Sequence, residues 1–467
     1  MTQVVYRAKK GRILWIAVAA AAVATLLGAW TSGQARAQTK FDTSFGKKGR
    51  VILPTGFRPW GLPNGDYTGG ATSLAVDHRG RIVVGTSDGS DPVVARFLPD
   101  GQPDPTFGED GRVDLYSPIF GFPDDKRRSS TITALAVQAD GKILAFGSVY
   151  GKLGSNFYPW MDSYRVRLNR NGTVDTTFIG GHYGVRGDPF WSQSIVLLGN
   201  GSFLVAGRRP MSSSNDNPKS MPTIAKFHGN GSPDRSFGDE TTSWEKGYAG
   251  FAPDKPPHGG FSRIKTVGKG KILAAGFFEW KPMIARFLRN GHLDKSFGSR
   301  KTPGRAITPL IGKCRCAVTW GARFDSKGRI VMAGWAFPGR KIQDRLWVAR
   351  FLPNGRPDLS FGHNGKVIRK VDLRVEVGDL IIQRNGKIVV SAMEGFLERS
   401  SLALYRFNQD GGRDLSFFND GKLVQRLGET TSGLSTTLDR KGRLLIAGGV
   451  LRNGQGHMLL ERFRNGH

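Results

Sequence analysis

The chain predicts an all-β ring of seven four-stranded blades, and three observations predict it. Two motifs alternate along the sequence seven times each, they recur at a near-constant spacing, and one copy is split between the two ends of the chain. The first motif is a strand ending in Arg-Phe, an Asn-Gly or Asp-Gly turn, then Asp, any residue, Ser or Thr, Phe and usually Gly. Its full copies begin at Arg96 (RFLPDGQPDPTFGEDGRV), Arg167, Lys226, Arg286, Arg350 and Arg406. The second motif is an apolar hairpin strand after a Gly turn: RGRIVVG around Gly80, then its counterparts at Gly141, Gly201, Gly270, Gly328, Gly386 and Gly442. The motif phenylalanines are Phe45, Phe107, Phe178, Phe237, Phe297, Phe361 and Phe417. They follow one another at roughly 60 residues, at or just above the period of propeller-type repeats.

Within one unit, TITALAVQADGKILAFGSV near Thr131 holds two β-rich runs joined by a Gly turn, which predicts a hairpin. SYRVRLNR supplies a third strand. After the next turn and the DTTF segment comes a fourth, as GRVDL from Gly111 does in the unit before. The second strands are apolar on both faces: in KILAFG, Ile143 and Ala145 point one way and Leu144 and Phe146 the other. A sheet wet on one side would alternate instead, so each sheet must lie between two neighbours. Radial blades meet that demand and leave only short edges exposed.

The split copy predicts how the ring closes. FDTSFGKKGRV lies at Phe41 and RFRNGH, from Arg462, ends the chain, so HMLLERF would be a third strand and GRVIL from Gly49 its fourth. Such a clasp pairs two termini that would otherwise fray. The predicted ring spans residues 38–467 as one large domain.

These residues resemble the delta-60 repeat, a bacterial module with a D-x-S-F-G signature and a DGKIVVAG hairpin. The resemblance runs from about residue 40 to the C-terminus and implies a β-propeller. It supplies no catalytic residues.

Residues 1–37 have the layout of a secretory signal: a basic stretch RAKKGR from Arg7, an apolar run from Ile13 to Trp30, and Ala35-Arg36-Ala37 before Gln38. The alternative is an uncleaved anchor, since the apolar run is just long enough to span a bilayer. Either way the ring is expected to be secreted or extracytoplasmic, in the periplasm or at the cell surface, and a membrane partner is expected only if the segment stays uncleaved. Of 68 basic residues five lie before residue 38, which leaves 63 against 38 acidic ones, a net +25. One reading is attraction to an anionic polysaccharide or another envelope component; export disfavours nucleic acid. The other reading is a solvated by-product of the repeat, because the third-strand cation and a hairpin-turn cation recur in nearly every copy.

Cys314 and Cys316 are the only cysteines. Residues two apart on a strand sit near the upper limit for bridging, so a disulfide needs a local turn, which Gly312 could allow. Free thiols are the alternative. Neither a metal nor a cofactor is expected, because structural zinc needs four ligands and no His lies close by in sequence.

In a four-stranded blade the first-to-second and third-to-fourth connections share one face of the ring. Every motif turn falls there. Its recurring Asp residues (Asp42, Asp104, Asp175, Asp234, Asp294, Asp358, Asp414) are expected to bond nearby backbone, since calcium-loop spacing is missing. The opposite face is where the copies differ and where aromatics collect: Trp60, Tyr67, Tyr158, Trp160, Trp191, Trp244, Trp280 and Trp335 are the candidate ligand-binding residues. Exposed aromatics stack on sugar rings or anchor protein partners; the alternative is local plugs folded over the ring's mouth. Loop carboxylates such as Asp88, Asp91, Asp124, Asp125, Asp162, Asp188, Glu279, Glu394 and Glu398 leave a glycan-active hydrolase or lyase open, although no catalytic pair is identifiable. A hydrolase elbow, an HExxH pair and a P-loop are all missing. The expectation is a monomeric, non-enzymatic binding or scaffold propeller at the cell envelope, with a purely structural or adhesive repeat protein as a further alternative.

Overall fold

A computed structural model describes residues 41–464, apart from 55–71, 88–90, 116–128, 154–157, 180–189, 212–218, 239–245, 252–256, 309–316, 337–343, 397–398 and 419, and the side chains of 129, 149–162, 317–320 and 396. The described chain is almost entirely β, with one short 3-10 turn.

Seven antiparallel sheets follow one another as blades, six of them with their strands in chain order and the seventh completed by the first strand of the chain. We number them from the first complete one. Blade 1 holds Ser73–Val76, Ile82–Ser87, Pro92–Phe97 and Arg112–Asp114, and blade 2 holds Ser129–Val137, Ile143–Leu153 and Tyr158–Leu168. Blade 3 is Trp191–Leu197, Phe203–Pro210, Ser220–Phe227 and Tyr248–Ala249; blade 4 is Gly259–Val267, Lys271–Phe278, Lys281–Phe287 and Arg305–Ile307. Blade 5 runs Ala317–Phe324, Ile330–Ala336, Arg345–Phe351 and Lys366–Lys370, and blade 6 runs Val375–Ile382, Ile388–Phe396, Arg399–Phe407 and Lys422–Gln425. Blade 7 is Thr430–Leu438, Leu444–Arg452, Gln455–Phe463 and, from the other end of the chain, Arg50–Pro54. Blade 2 shows three strands among the described residues. The first strands of all seven blades touch one another in a closed cycle, so they line the axis and the fourth strands form the rim.

The predicted clasp is present. Arg50 to Pro54 pair antiparallel with Glu461 to His457. The Arg50 guanidinium lies 2.5 Å from Glu461, whose side chain is fully buried, and Gln425 of blade 6 donates to the same carboxylate. Burial pushes the Glu461 carboxyl up despite Arg50.

Second and third strands are buried along nearly their whole length, as the two-sided apolar pattern requires. Small residues in the second strand serve a specific contact. The first strand bulges in blades 2 to 7 at the same place, for example between Ile132 and Ala134 and between Val377 and Asp379. In four blades the bulge drives a carbonyl onto the second-strand glycine: a Cβ at Gly207 would stand 1.8 Å from the Trp191 oxygen, and at Gly448 1.9 Å from that of Ser432. Glycine alone leaves that space. Between blades, the motif Phe is the wedge. Phe45, Phe107, Phe237, Phe297 and Phe361 are at most 2% exposed, and several press on the turn glycine of the next blade, as Phe297 does on Gly355, held at φ +84°.

Candidate functional site

The motif face is built by an ion-pair device repeated around the ring. In each copy the Asp turns inward. One carboxylate oxygen accepts from the backbone N–H and hydroxyl of the Ser or Thr two residues on, as in Asp358 with Ser360 at 3.2 and 2.7 Å, the Asx geometry expected from the sequence. The other accepts from the third-strand cation: Arg96 to Asp104 2.7 Å, Arg167 to Asp175 2.8 Å, Arg286 to Asp294 2.7 Å, Arg350 to Asp358 2.7 Å, Arg462 to Asp42 2.8 Å. The hairpin-turn cation closes on the same oxygen, as Lys142 does on Asp175 and Lys387 on Asp414. Each third-strand cation also lies over its own motif Phe, with Arg462 4.4 Å from the Phe45 centroid. Burial alone would raise these carboxyls. The bonded hydroxyls, amides and cations outweigh it and hold Asp234 and Asp414 down to about 2.

The repeat cations are therefore ion-paired within the repeat, some of them buried and others, such as Lys142 and Lys271, still about a third exposed. Thirteen of them, seven on third strands and six in hairpin turns, serve the seven motif aspartates together with Asp77, Asp325 and Asp439. Thirteen against ten leaves only +3 of the ring's +25 inside the device. Among the described residues, the first-to-second and third-to-fourth connections expose 18 Lys and Arg side chains against six Asp and Glu. On the opposite face, most of whose connections lie outside the described residues, the described part exposes two against two: Arg374 and Arg426, Glu279 and Asp372.

One junction departs from the pattern. Blade 3 has Lys226 in place of Arg and Ser202 where other blades carry a turn cation. In blades 1, 2, 5 and 7 the third-strand guanidinium reaches a carbonyl of the next blade, Arg96 to that of Arg170 at 2.6 Å. Lys226 ends on Asp234 at 2.8 Å. Beside it lies a groove of about 400 Å³, lined by Lys226, Ser236, Phe237, Leu288, Arg289 and Asn290.

At the axis sits a second ionic cluster that no sequence motif marks. Asp379, on the first strand of blade 6, is fully buried. It accepts from Arg323 of blade 5 at 3.0 and 2.7 Å, from Arg263 of blade 4 at 3.1 Å, and from the amide and hydroxyl of Thr436 of blade 7, both at 3.1 Å. Arg263 also donates to the Gln193 carbonyl of blade 3 at 3.1 Å. Five blades are thus tied across the centre. Burial works against the Asp379 charge, but Arg323 and Arg263 prevail and keep the carboxyl below its ordinary value.

The predicted aromatics do not assemble into one described site. Trp335 is 8% exposed, in the second strand of blade 5 and in its hydrophobic core, which corrects its placement on the loop face; the strand simply continues two residues past the motif. Trp191 is half-buried in the first strand of blade 3, with the Arg208 guanidinium 3.8 Å from its ring. Trp280 caps the tight hairpin of blade 4 and stacks on His258, centroids 4.0 Å apart at 18°. Tyr158 and Trp160 belong to a strand, in register with Leu153 and Gly151, rather than to a loop. Trp60, Tyr67, Trp244, Cys314 and Cys316 lie outside the described residues, as do Asp88, Asp124, Asp125, Asp188, Glu398 and the Asp162 side chain. Of the loop carboxylates that are described, Glu279 accepts the His258 amide at 2.8 Å, Glu394 pairs with Lys422 at 2.8 Å and Asp91 is buried. Among the described residues no group of three or more His, Cys, Asp or Glu stands together as a metal site.

A family described as a domain of unknown function (DUF5122) beta-propeller matches residues 80–107. That short match supports a β-propeller family without the finer delta-60 designation. No curated protein matches the chain. Among solved structures it is similar to virginiamycin B lyase from Staphylococcus aureus, at 10% identity over 88% of this chain and 98% of that one, TM-score 0.46. It is similar also to Drosophila Semaphorin 2a, at 10% identity over 89% and 76%, TM-score 0.46, and to a mutant of NanB sialidase from Streptococcus pneumoniae, at 10% over 88% and 70%, TM-score 0.40. The chain is a seven-bladed β-propeller on the strength of its own strand pairing, and these distant likenesses say nothing of what it binds.

Proposed function

We propose that this protein is an exported, non-catalytic binding propeller of the cell envelope that engages an anionic polymer or surface through its motif-turn face. Residues 1–37 are the export signal in this reading. One observation supports it: among the described residues, the motif-turn connections expose 18 cations against six acids, beyond the repeat's own ion pairs. Charge that merely accompanied the repeat would be neutralised within it. A face of one sign attracts a polyanion over a Debye length of about 10 Å at 0.1 M salt, shrinking to about 3 Å at 1 M.

The test is binding of the chain from residue 38 onward to dextran sulfate, acidic glycans and uncharged glucans across a salt series. Retention on the anionic polymers that falls steeply with salt is expected. Equal retention on uncharged glucan at 1 M salt would move the site to aromatic stacking, and cleavage of an acidic glycan would replace the binding reading with a hydrolase or lyase.

A further inference from the structure

We infer that the anion met by the motif-turn face is a lipid bilayer rich in anionic headgroups, an inference that rests on the reading just proposed. A soluble polyanion needs only cations. This face also holds protruding aliphatic side chains: Leu359 is 71% exposed, Leu415 62% and Ile179 50%. All three lie in third-to-fourth connections, and Leu359 and Leu415 occupy the same motif position on the adjacent blades 5 and 6.

Motif geometry explains why they point outward. With the Asp turned in to its cation and the Phe wedged between blades, the residue between Asp and Ser or Thr has nowhere to go but solvent. In other copies that position is Thr43, Pro105, Thr176, Arg235 or Lys295. A leucine there is dispensable to the fold and is costly to leave in water. Exposed Arg356 and Arg413 stand three and two residues away in sequence, in the same connections. Leucines that enter the acyl boundary while neighbouring cations meet phosphates make the layout of an interfacial anchor. Phe41, bridged to Phe463 beside the motif turns, is where residues 1–40 join the ring.

The test is co-sedimentation of the chain from residue 38 onward with phosphatidylcholine vesicles, with and without phosphatidylglycerol, beside dextran sulfate binding. The parent, the Leu359→Ser/Leu415→Ser pair and the Arg356→Glu/Arg413→Glu pair are compared. The parent should sediment only with the anionic vesicles. The leucine pair should lower that partition about tenfold and leave dextran sulfate binding unchanged, while the arginine pair should weaken both. Vesicle binding by the leucine variant equal to the parent's, or dextran sulfate binding without vesicle binding, overturns the lipid assignment alone. Binding to neither overturns the anion-binding reading as well.

Discussion

Replacing Asp379 by Asn should be among the most damaging single substitutions in the ring, although it changes one atom. The carboxylate receives five hydrogen bonds from three blades and has no access to water. The amide keeps one acceptor oxygen and turns its NH2 toward a guanidinium or the Thr436 donors, so donor meets donor. Arg263 and Arg323 are left as two partly buried cations without a counter-charge. Breaking a buried pair in this way costs about 3–5 kcal/mol, a large share of the roughly 5–15 kcal/mol typical of a folded domain. The companion variant separates brace from burden. Asp379→Leu with Arg263→Met and Arg323→Met removes every charge, and since burying ions is itself expensive, most of the loss should return. Urea melts of parent, single and triple variants read both. A single variant that stays within about 0.5 kcal/mol of the parent, the range of an ordinary surface substitution, would show that the cluster does not brace the axis. A triple variant worse than the single would show that the charges stabilise outright.

Three further outcomes are expected. Deleting residues from His457 onward removes the third strand of blade 7, leaves Arg50 to Pro54 unpaired and exposes Val51 and the Asp42 device, so cooperative melting should be lost; an unchanged melting temperature would contradict the clasp. Lys226→Arg should stabilise by about 1 kcal/mol, because a guanidinium can keep Asp234 and reach the Arg289 carbonyl across the groove; a lower melting temperature would mean the groove is not arginine-shaped. Acid titration has two limbs. Burial first, then Arg208, holds His258 down to about 4 against about 6.5 unfolded, so the unfolded chain takes the proton first and stability drains as pH falls from about 6.5 to 4. His258→Leu should flatten that limb. The lower limb should persist in it, since Asp234 and Asp414, held to about 2, lose their contribution only as pH falls from about 4 to 2.

What was legible in the sequence is what repeats. Blade number, strand order and the clasp follow from turn glycines and two-sided apolar strands, because each copy must solve the same packing problem. Trp335 is in the core for a related reason: Gly334 ends the motif but not the strand, and Ile330–Ala336 carries the tryptophan on past it. The axial cluster left no comparable trace. Arg263, Arg323 and Asp379 are far apart along the chain, each appears in one blade only, and closure of the ring is what brings them together.

The charge shows how far repetition can mislead. Counted along the sequence, a recurring Arg-Phe and a recurring hairpin-turn cation look like the source of the excess. Folded, they are its most thoroughly neutralised part, since each recurring cation meets a recurring aspartate. What a repeat must keep for folding it also balances, because an unpaired charge in each junction would cost several kcal/mol. Part of the exposed charge sits at positions that differ between copies, such as Lys48, Lys301 and Arg440 on the turns. There folding does not constrain the residue, and a partner can.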